Sequence, residues 1–186
     1  MLNKYQCLEK LAARRTDEIV ISTMGAARPW ETISDTDIDF ASVDSAMGHA
    51  ADFALGLAIA QPEKRVITLN GDGSLLMCLG TLVTIAQYPC ENYAMIVLEN
   101  GQYEVTGNQI VPGSSFVDYE MIARGSGIKN VATVDNEEEF EESLELVFTQ
   151  PGPSVFIWKI EPASEPVPKF EKSLAERVER LRRALV

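Results

Sequence analysis

Two short stretches of the chain carry residue types that could act together. Gly71-Asp72-Gly73 sets a carboxylate between two glycines, and Asn100 places a neutral amide oxygen with 26 residues between it and Gly73. Glycine lets a backbone turn tightly and approach a ligand closely. Carboxylate and amide oxygens are hard donors suited to Mg²⁺, which takes octahedral oxygen ligands and commonly bridges a protein to bound phosphates. Gly73 and Ser74 would open a helix, whose unpaired N–H groups and positive dipole end favour an anion. Taken alone, G-D-G is equally a plain strand-to-helix joint, since Asp-Gly turns are common. The distance to Asn100 gives it weight, because 26 residues accommodate one helix and one return strand.

The elements needed to position these residues can be read around them. Arg65–Asn70 (R-V-I-T-L-N) is an apolar run of strand length, followed by a predicted helix over Ser74–Gln87 and a strand over Tyr93–Glu99. Strand, helix and strand with short joints imply a parallel pair with a right-handed crossover, so Asp72 and Asn100 fall at the carboxyl ends of neighbouring strands. Ligands bind there in open α/β sheets. Upstream, residues 3–15 place Tyr5, Leu8, Leu11 and Ala12 on one helical face. Glu18–Thr23 reads as a buried strand, the Gly/Ala/Pro stretch through Pro29 as a loop, Ile38–Val43 as a short strand and Gly48–Ala60 as a tightly packed helix. Downstream, the pattern predicts a helix over Asp118–Arg124, a strand over Asn130–Val134, an acidic helix from Glu137 to Phe148 and a last strand over Ser154–Ile160. Such alternation specifies an α/β fold with a doubly wound, mostly parallel sheet and helices on both faces.

Residues 1–161 therefore read as one domain, and residues 162–186 as a proline-rich linker (Pro162, Pro166, Pro168) and a C-terminal helix. In that helix Leu174, Val178, Leu181 and Leu185 form a stripe that needs a partner surface, on its own domain or on another subunit.

Composition narrows the function. A net charge of −12 repels phosphate backbones and argues against nucleic acid as a partner. The apolar runs are too short to span a bilayer, and the first residues lack a signal peptide's apolar core, so no membrane partner and a cytoplasmic location are expected. Cys7, Cys78 and Cys90 are widely spaced with no C-x-x-C pair, which argues against zinc, iron–sulfur and disulfide frameworks and suits small buried apolar positions. The acidic run from Glu137 to Glu142 opens a helix, where carboxylates complement the dipole and face water.

With G-D-G and Asn100 at this spacing, the chain resembles the thiamine-diphosphate-dependent enzymes, in their diphosphate-binding domain. The runs D-S-A-M-G-H-A-A-D-F-A-L-G-L-A-I-A, G-D-G-S-L-L-M-C-L-G-T-L-V-T-I-A-Q and V-L-E-N-G-Q-Y-E-V-T-G-N-Q are similar to sulfopyruvate decarboxylase beta subunits and to phosphonopyruvate decarboxylases over roughly residues 18–160. The resemblance implies that Asp72, the Asn100 side chain and the Gln102 backbone carbonyl ligate Mg²⁺. Gly71, Gly73, Ser74 and the Gly101–Tyr103 loop would face the diphosphate of the thiamine diphosphate. Ser45 and the Met47 backbone would contact the aminopyrimidine, with the Met47 side chain under the bent cofactor; a gap-filling core methionine is the plainer reading. Arg28, expected on a loop after the first strand, could meet a substrate carboxylate or sulfonate, with a solvated loop arginine as equal competitor. Relatives order their Pro/Arg residues differently there, which leaves the substrate open.

His49 is the only histidine and begins a helix expected to be buried, so a structural role, or one that only supports a neighbouring site residue, outweighs a catalytic one. The glutamate that activates thiamine diphosphate comes, in this family, from a separate pyrimidine-binding domain, and no residue here fits that role. The resemblance implies a beta-type subunit of a two-subunit 2-oxoacid decarboxylase. An alpha-type pyrimidine-binding subunit would be its partner, with contact between cofactor domains in a homodimer and a small 2-oxoacid as substrate. Alone, the chain should bind cofactor weakly. The alternatives are a carboligase or 2-oxoacid oxidoreductase subunit, a non-catalytic subunit that kept the fold, and an α/β module for another phosphate ligand.

Overall fold

A computed structural model describes residues 1–41, 47–162 and 172–186. In chain order the elements are α1 (Lys4–Arg14), β1 (Ile19–Ser22), α2 (Met24–Ile33), β2 (Asp39–Ala41), α3 (Ala50–Ala60), β3 (Val66–Gly71), α4 (Asp72–Met77) and α5 (Gly80–Gln87). They continue with β4 (Tyr93–Glu99), the small hairpin β5 (Gln102–Tyr103) and β6 (Gln109–Ile110), α6 (Tyr119–Gly125), β7 (Asn130–Val134), α7 (Glu137–Thr149), β8 (Ser154–Lys159) and α8 (Leu174–Ala184).

The main sheet runs β2-β1-β3-β4-β8-β7 and every pairing in it is parallel. Parallel strands covered on both faces read as continuous apolar runs, and β1, β4 and β8 are buried along nearly their whole length. Side chains alternate between two cores. Ile19, Ile21, Val66, Met95, Val97, Val155 and Ile157 meet α3, α5 and α6 on one face. Val20, Ile67, Leu69, Ala94, Ile96, Phe156 and Trp158 meet α1, α2 and α7 on the other. Trp158 illustrates how the second core is closed. Its ring meets Phe140 edge-on and its Nε1 donates to Ser143 Oγ at 2.9 Å, so the one polar atom of a fully buried indole is satisfied.

The doubly wound architecture is as expected, and several local expectations need correction. The stretch through Pro29, expected as a loop, belongs to α2 (Met24–Ile33), with Pro29 inside the helix. Proline removes the N–H that would bond the carbonyl four residues back. That carbonyl, on Gly25, instead accepts from Lys4 Nζ at 3.3 Å, which supplies the missing donor from α1. The single helix expected over Ser74–Gln87 is two helices, separated at Cys78 and Leu79 and beginning at Asp72. Cys78 leaves helical geometry, and Gly80 follows with the weak helix propensity of glycine. The strand expected over Ile38–Val43 is observed as Asp39–Ala41, and residues 42 and 43 lie outside the described residues. Cys7 is buried as expected, whereas Cys78 and Cys90 are half-buried. The acidic start of α7 is exposed, as expected, and pairs with Lys10 of α1 through Glu137 and Glu141.

The leucine stripe of α8 is only partly covered. Leu181 and Arg177 are buried, while Leu174 and Val178 stay 39% and 46% exposed. Polar anchoring sets this rotation. Arg177 Nη1 donates to Ala41 O at 3.2 Å, and Arg180 bonds Asp35 and Asp37 at 2.7 and 2.8 Å, which lays α8 against β2.

Candidate functional site

After β1 the chain goes to β2 on one side, and β3 and β4 then build away on the other, so the strand order reverses between β1 and β3. Open α/β sheets form their ligand crevice at such a switch point, outside the carboxyl ends of the strands. A cleft lies there. Met24 and Gly25 enter from the end of β1, Asn70–Ser74 from β3, Leu98 and Asn100 from β4, and the β5 loop closes it with Gln102–Thr106.

Asp72 is the hub. It is 3% exposed, its Oδ1 accepts the Gly73 N–H at 2.8 Å, and its Oδ2 accepts the Gly101 N–H at 2.7 Å. The second bond joins the β3 and β4 turns directly, so the carboxylate lies against the turn that carries Asn100. Burial raises the Asp72 carboxyl above its ordinary range, and the backbone donors of Gly101, Gly73 and Asn100 oppose that shift. A desolvated carboxylate held by neutral N–H groups alone has no counter-charge among these bonds, a situation that a divalent cation relieves. Asn100 Oδ1 accepts the Gln102 N–H at 2.8 Å, which fixes the amide at the mouth of the same turn. Carboxylate and amide oxygen form a hard donor set, and it fits Mg²⁺ rather than a soft metal.

The rest of the wall is built by close backbone approach. Ser74 Oγ accepts the Gly48 N–H at 2.8 Å, which ties the Met47 turn to the start of α4. Gly48 has φ +86°, and a Cβ there would sit 2.5 Å from Cys78 Cβ, so glycine is required twice over. A Cβ on Gly73 would meet the Tyr103 ring at 2.4 Å.

Met47, Gly71, Asp72, Gly73, Ser74, Asn100, Gln102 and Tyr103 all line the cleft, and Gly101 contributes its N–H to Asp72. Ser45 lies outside the described residues. Arg28 is half-buried on α2, not on a loop, and does not line the cleft. His49 was expected on a buried helix, but its side chain is 65% exposed at the start of α3 and bonds Asp52 Oδ2 at 3.0 Å. Sequence reasoning missed Lys4 and Glu104. Their 2.6 Å ion pair forms part of the cleft wall, with both side chains only 4% exposed. The single available signal was that Glu104 follows the Asn100 loop, in Q-Y-E-V; nothing local connects it to a lysine 100 residues earlier.

Residues 18–157 match the model of the thiamine pyrophosphate enzyme, C-terminal TPP binding domain. The chain belongs to that family. It is 33% identical to sulfopyruvate decarboxylase subunit beta of Methanothermobacter thermautotrophicus, over 97% of this chain and 94% of that one. It is 32% identical to the subunit of the same name from Methanococcus maripaludis, over 91% and 90%. Phosphonopyruvate decarboxylase of Streptomyces viridochromogenes is 35% identical over 87% of this chain but only 40% of its own. Among solved structures, the benzoylformate decarboxylase of Polynucleobacter necessarius superposes with a TM-score of 0.75 at 20% identity, over 89% of this chain and 34% of that one, a likeness of fold. This thiamine-diphosphate-binding domain thus spans about a third of such a chain and nearly all of a sulfopyruvate decarboxylase beta subunit. Among the described residues no helix is long and apolar enough to cross a membrane.

Proposed function

We propose that this chain is the beta-type, cofactor-binding subunit of a two-subunit thiamine-diphosphate-dependent 2-oxoacid decarboxylase, acting on a sulfopyruvate- or phosphonopyruvate-like substrate. The observation that carries the reading is Asp72, buried at the switch-point cleft and bonded to the turn that bears Asn100. Similarity along nearly the whole length of two sulfopyruvate decarboxylase beta subunits supports the substrate class.

In this reading Asp72 and Asn100 hold Mg²⁺ through side-chain oxygens, and Gln102 adds its backbone carbonyl. Gly71, Gly73, Ser74, Gly101 and Tyr103 form the bed for the diphosphate, while Ser45 and Met47 support the aminopyrimidine. When bound, thiamine diphosphate supplies the electron sink for the carbanion left by loss of CO₂. The chain's own residues act before that: Asp72, ionised, presents charge to the metal, and the Gly101 N–H holds that carboxylate in register with Asn100. The Ser74–Gly48 bond keeps Met47 on the cleft wall, and Tyr103 packs over Gly73. Arg28, two residues beyond the part of α2 that lines the cleft, is assigned the substrate's anionic group in the complete assembly.

No residue of the chain is assigned to activate the pyrimidine, so an alpha-type pyrimidine-binding subunit supplies that glutamate, with a second copy of this chain adjoining it. Residues 1–161 form the cofactor domain, and residues 162–186 a linker and α8. The cytoplasm, with its magnesium and reduced thiols, suits such an assembly.

The test is CO₂ release from sulfopyruvate and phosphonopyruvate by the chain mixed with its alpha-type partner, with thiamine diphosphate and Mg²⁺. Release by the mixture and none by either component alone is expected. A mixture that binds cofactor yet turns over only unrelated 2-oxoacids, or only ligates aldehydes, would reject the substrate assignment.

A further inference from the structure

Outside the cleft, three metal-ligating side chains meet at the junction of α3 and α4. His49 Nδ1 is 3.0 Å from Asp52 Oδ2 and 3.8 Å from Cys78 Sγ, and ligand atoms of all three lie within 4.8 Å of one another. Among the described residues this is the one group of three or more such side chains. We propose that His49, Asp52 and Cys78 form a second metal site, for a borderline-soft divalent cation of the Zn²⁺ class.

The geometry is close to that of a tetrahedral ion. Bonds of about 2.0–2.1 Å to nitrogen and oxygen and about 2.3 Å to sulfur place N and O about 3.4 Å apart and N and S about 3.6 Å apart. The observed separations differ from these by a few tenths of an ångström, within reach of small side-chain rotations. A surface His–Asp pair three residues apart on one helix is ordinary by itself, but it gives no account of the thiol. Cys78 is brought there by backbone packing. It ends α4 with non-helical dihedrals, and its Cβ lies so near Gly48 that only glycine fits opposite. The Cβ is therefore fixed beside the first turn of α3, with the thiol 3.8 Å from His49 Nδ1.

The donor set selects the ion. A mixed nitrogen, oxygen and sulfur site suits Zn²⁺ and its neighbours, whereas Mg²⁺ requires oxygen ligands and stays at the Asp72 cleft. Binding releases the Cys78 proton to solvent and leaves a fourth coordination position open to water or another ligand. The ion would join the Met47–Gly48 turn to the end of the helix that starts at Asp72, and so brace both walls of the cleft from outside. The site does not depend on the thiamine-diphosphate reading.

The test is Co²⁺ titration of the reduced, full chain in excess Mg²⁺, followed by absorbance. One equivalent should produce a thiolate-to-cobalt charge-transfer band with intense tetrahedral visible bands, and Zn²⁺ should bleach both. Cys78→Ser should abolish the charge-transfer band, and His49→Ala should weaken affinity by at least the 10–100-fold that loss of even an outer-shell partner costs. Cys90→Ser should leave the spectrum unchanged. Circular dichroism verifies that each variant is folded, and magnesium-dependent thiamine diphosphate binding should survive in Cys78→Ser. Absence of the band in the native chain, or its persistence in folded Cys78→Ser, would overturn the site.

Discussion

Replacing Lys4 with methionine keeps most of the apolar stem and removes one ammonium from the wall of the cleft. In the native chain that ammonium lies 2.6 Å from Glu104 Oε2 and 3.3 Å from the Gly25 carbonyl, with both charged side chains 4% exposed. Burying a charge is costly unless it is paired, and removing one partner of a buried pair costs about 3–5 kcal/mol. The substitution also strands the carbonyl that Pro29 leaves without its helical donor. For a chain of this length, about 2–4 °C of Tm accompanies each kcal/mol. Lys4→Met should therefore lower Tm by about 6–20 °C, read by differential scanning calorimetry. Glu104 begins the turn after Gln102 and Tyr103, so thiamine diphosphate affinity should fall as well. The decisive arm is Lys4→Met/Glu104→Gln, which removes both charges of the pair. It should recover stability relative to Lys4→Met, with a coupling of about 0.5–3 kcal/mol. Additive losses, or a Tm change below about 2 °C for Lys4→Met, would refute the reasoning that this pair is a buried, mutually dependent unit.

Three further outcomes follow from the same geometry. Gly48→Ala combines a left-handed backbone with a 2.5 Å approach to Cys78 Cβ. It should cost about 2–4 kcal/mol in a denaturant titration and weaken cofactor binding through Met47. Tyr119 is buried and its hydroxyl has no hydrogen-bond partner among the described residues, so Tyr119→Phe should leave the denaturation midpoint unchanged or raise it. Asp72 sets opposite pH dependences for two quantities. Because its carboxyl is raised in the metal-free fold, its contribution to stability is present below the ordinary carboxylate value and lost as pH rises through the raised one. Mg²⁺ binding needs the ionised form and should weaken as pH falls into that window, as calorimetry at several pH values would show.

The central strands were legible because they are buried on both faces, as Tyr93–Glu99 is, and the half-covered edge strand Asn130–Val134 was also read to the residue between its turn signals. The Asp72–Asn100 pairing was legible for a related reason, since strand, helix and strand leave little freedom in where their carboxyl ends lie. What stayed hidden depended on partners distant in sequence. Pro29 read as a loop signal because the lysine that serves its orphaned carbonyl is 21 residues upstream of Gly25. The break at Cys78 lies where its Cβ meets Gly48, a neighbour 30 residues upstream that no local pattern records. The stripe of α8 is covered only in part because Arg177, which lies outside it, is buried on Ala41 while Val178 is not. His49 shows that an apolar helix can begin at the surface, where its first residue faces water.

The central claim is that Asp72 commits this cleft to thiamine diphosphate through a divalent cation. Calorimetric titration of thiamine diphosphate, with and without Mg²⁺, on the chain together with its alpha-type partner and on the same assembly carrying Asp72→Ala, tests it most directly. The account expects binding that requires Mg²⁺ and is lost in the folded variant, with weaker binding by the chain alone. Binding that is indifferent to Mg²⁺, or equally tight in Asp72→Ala, would contradict it.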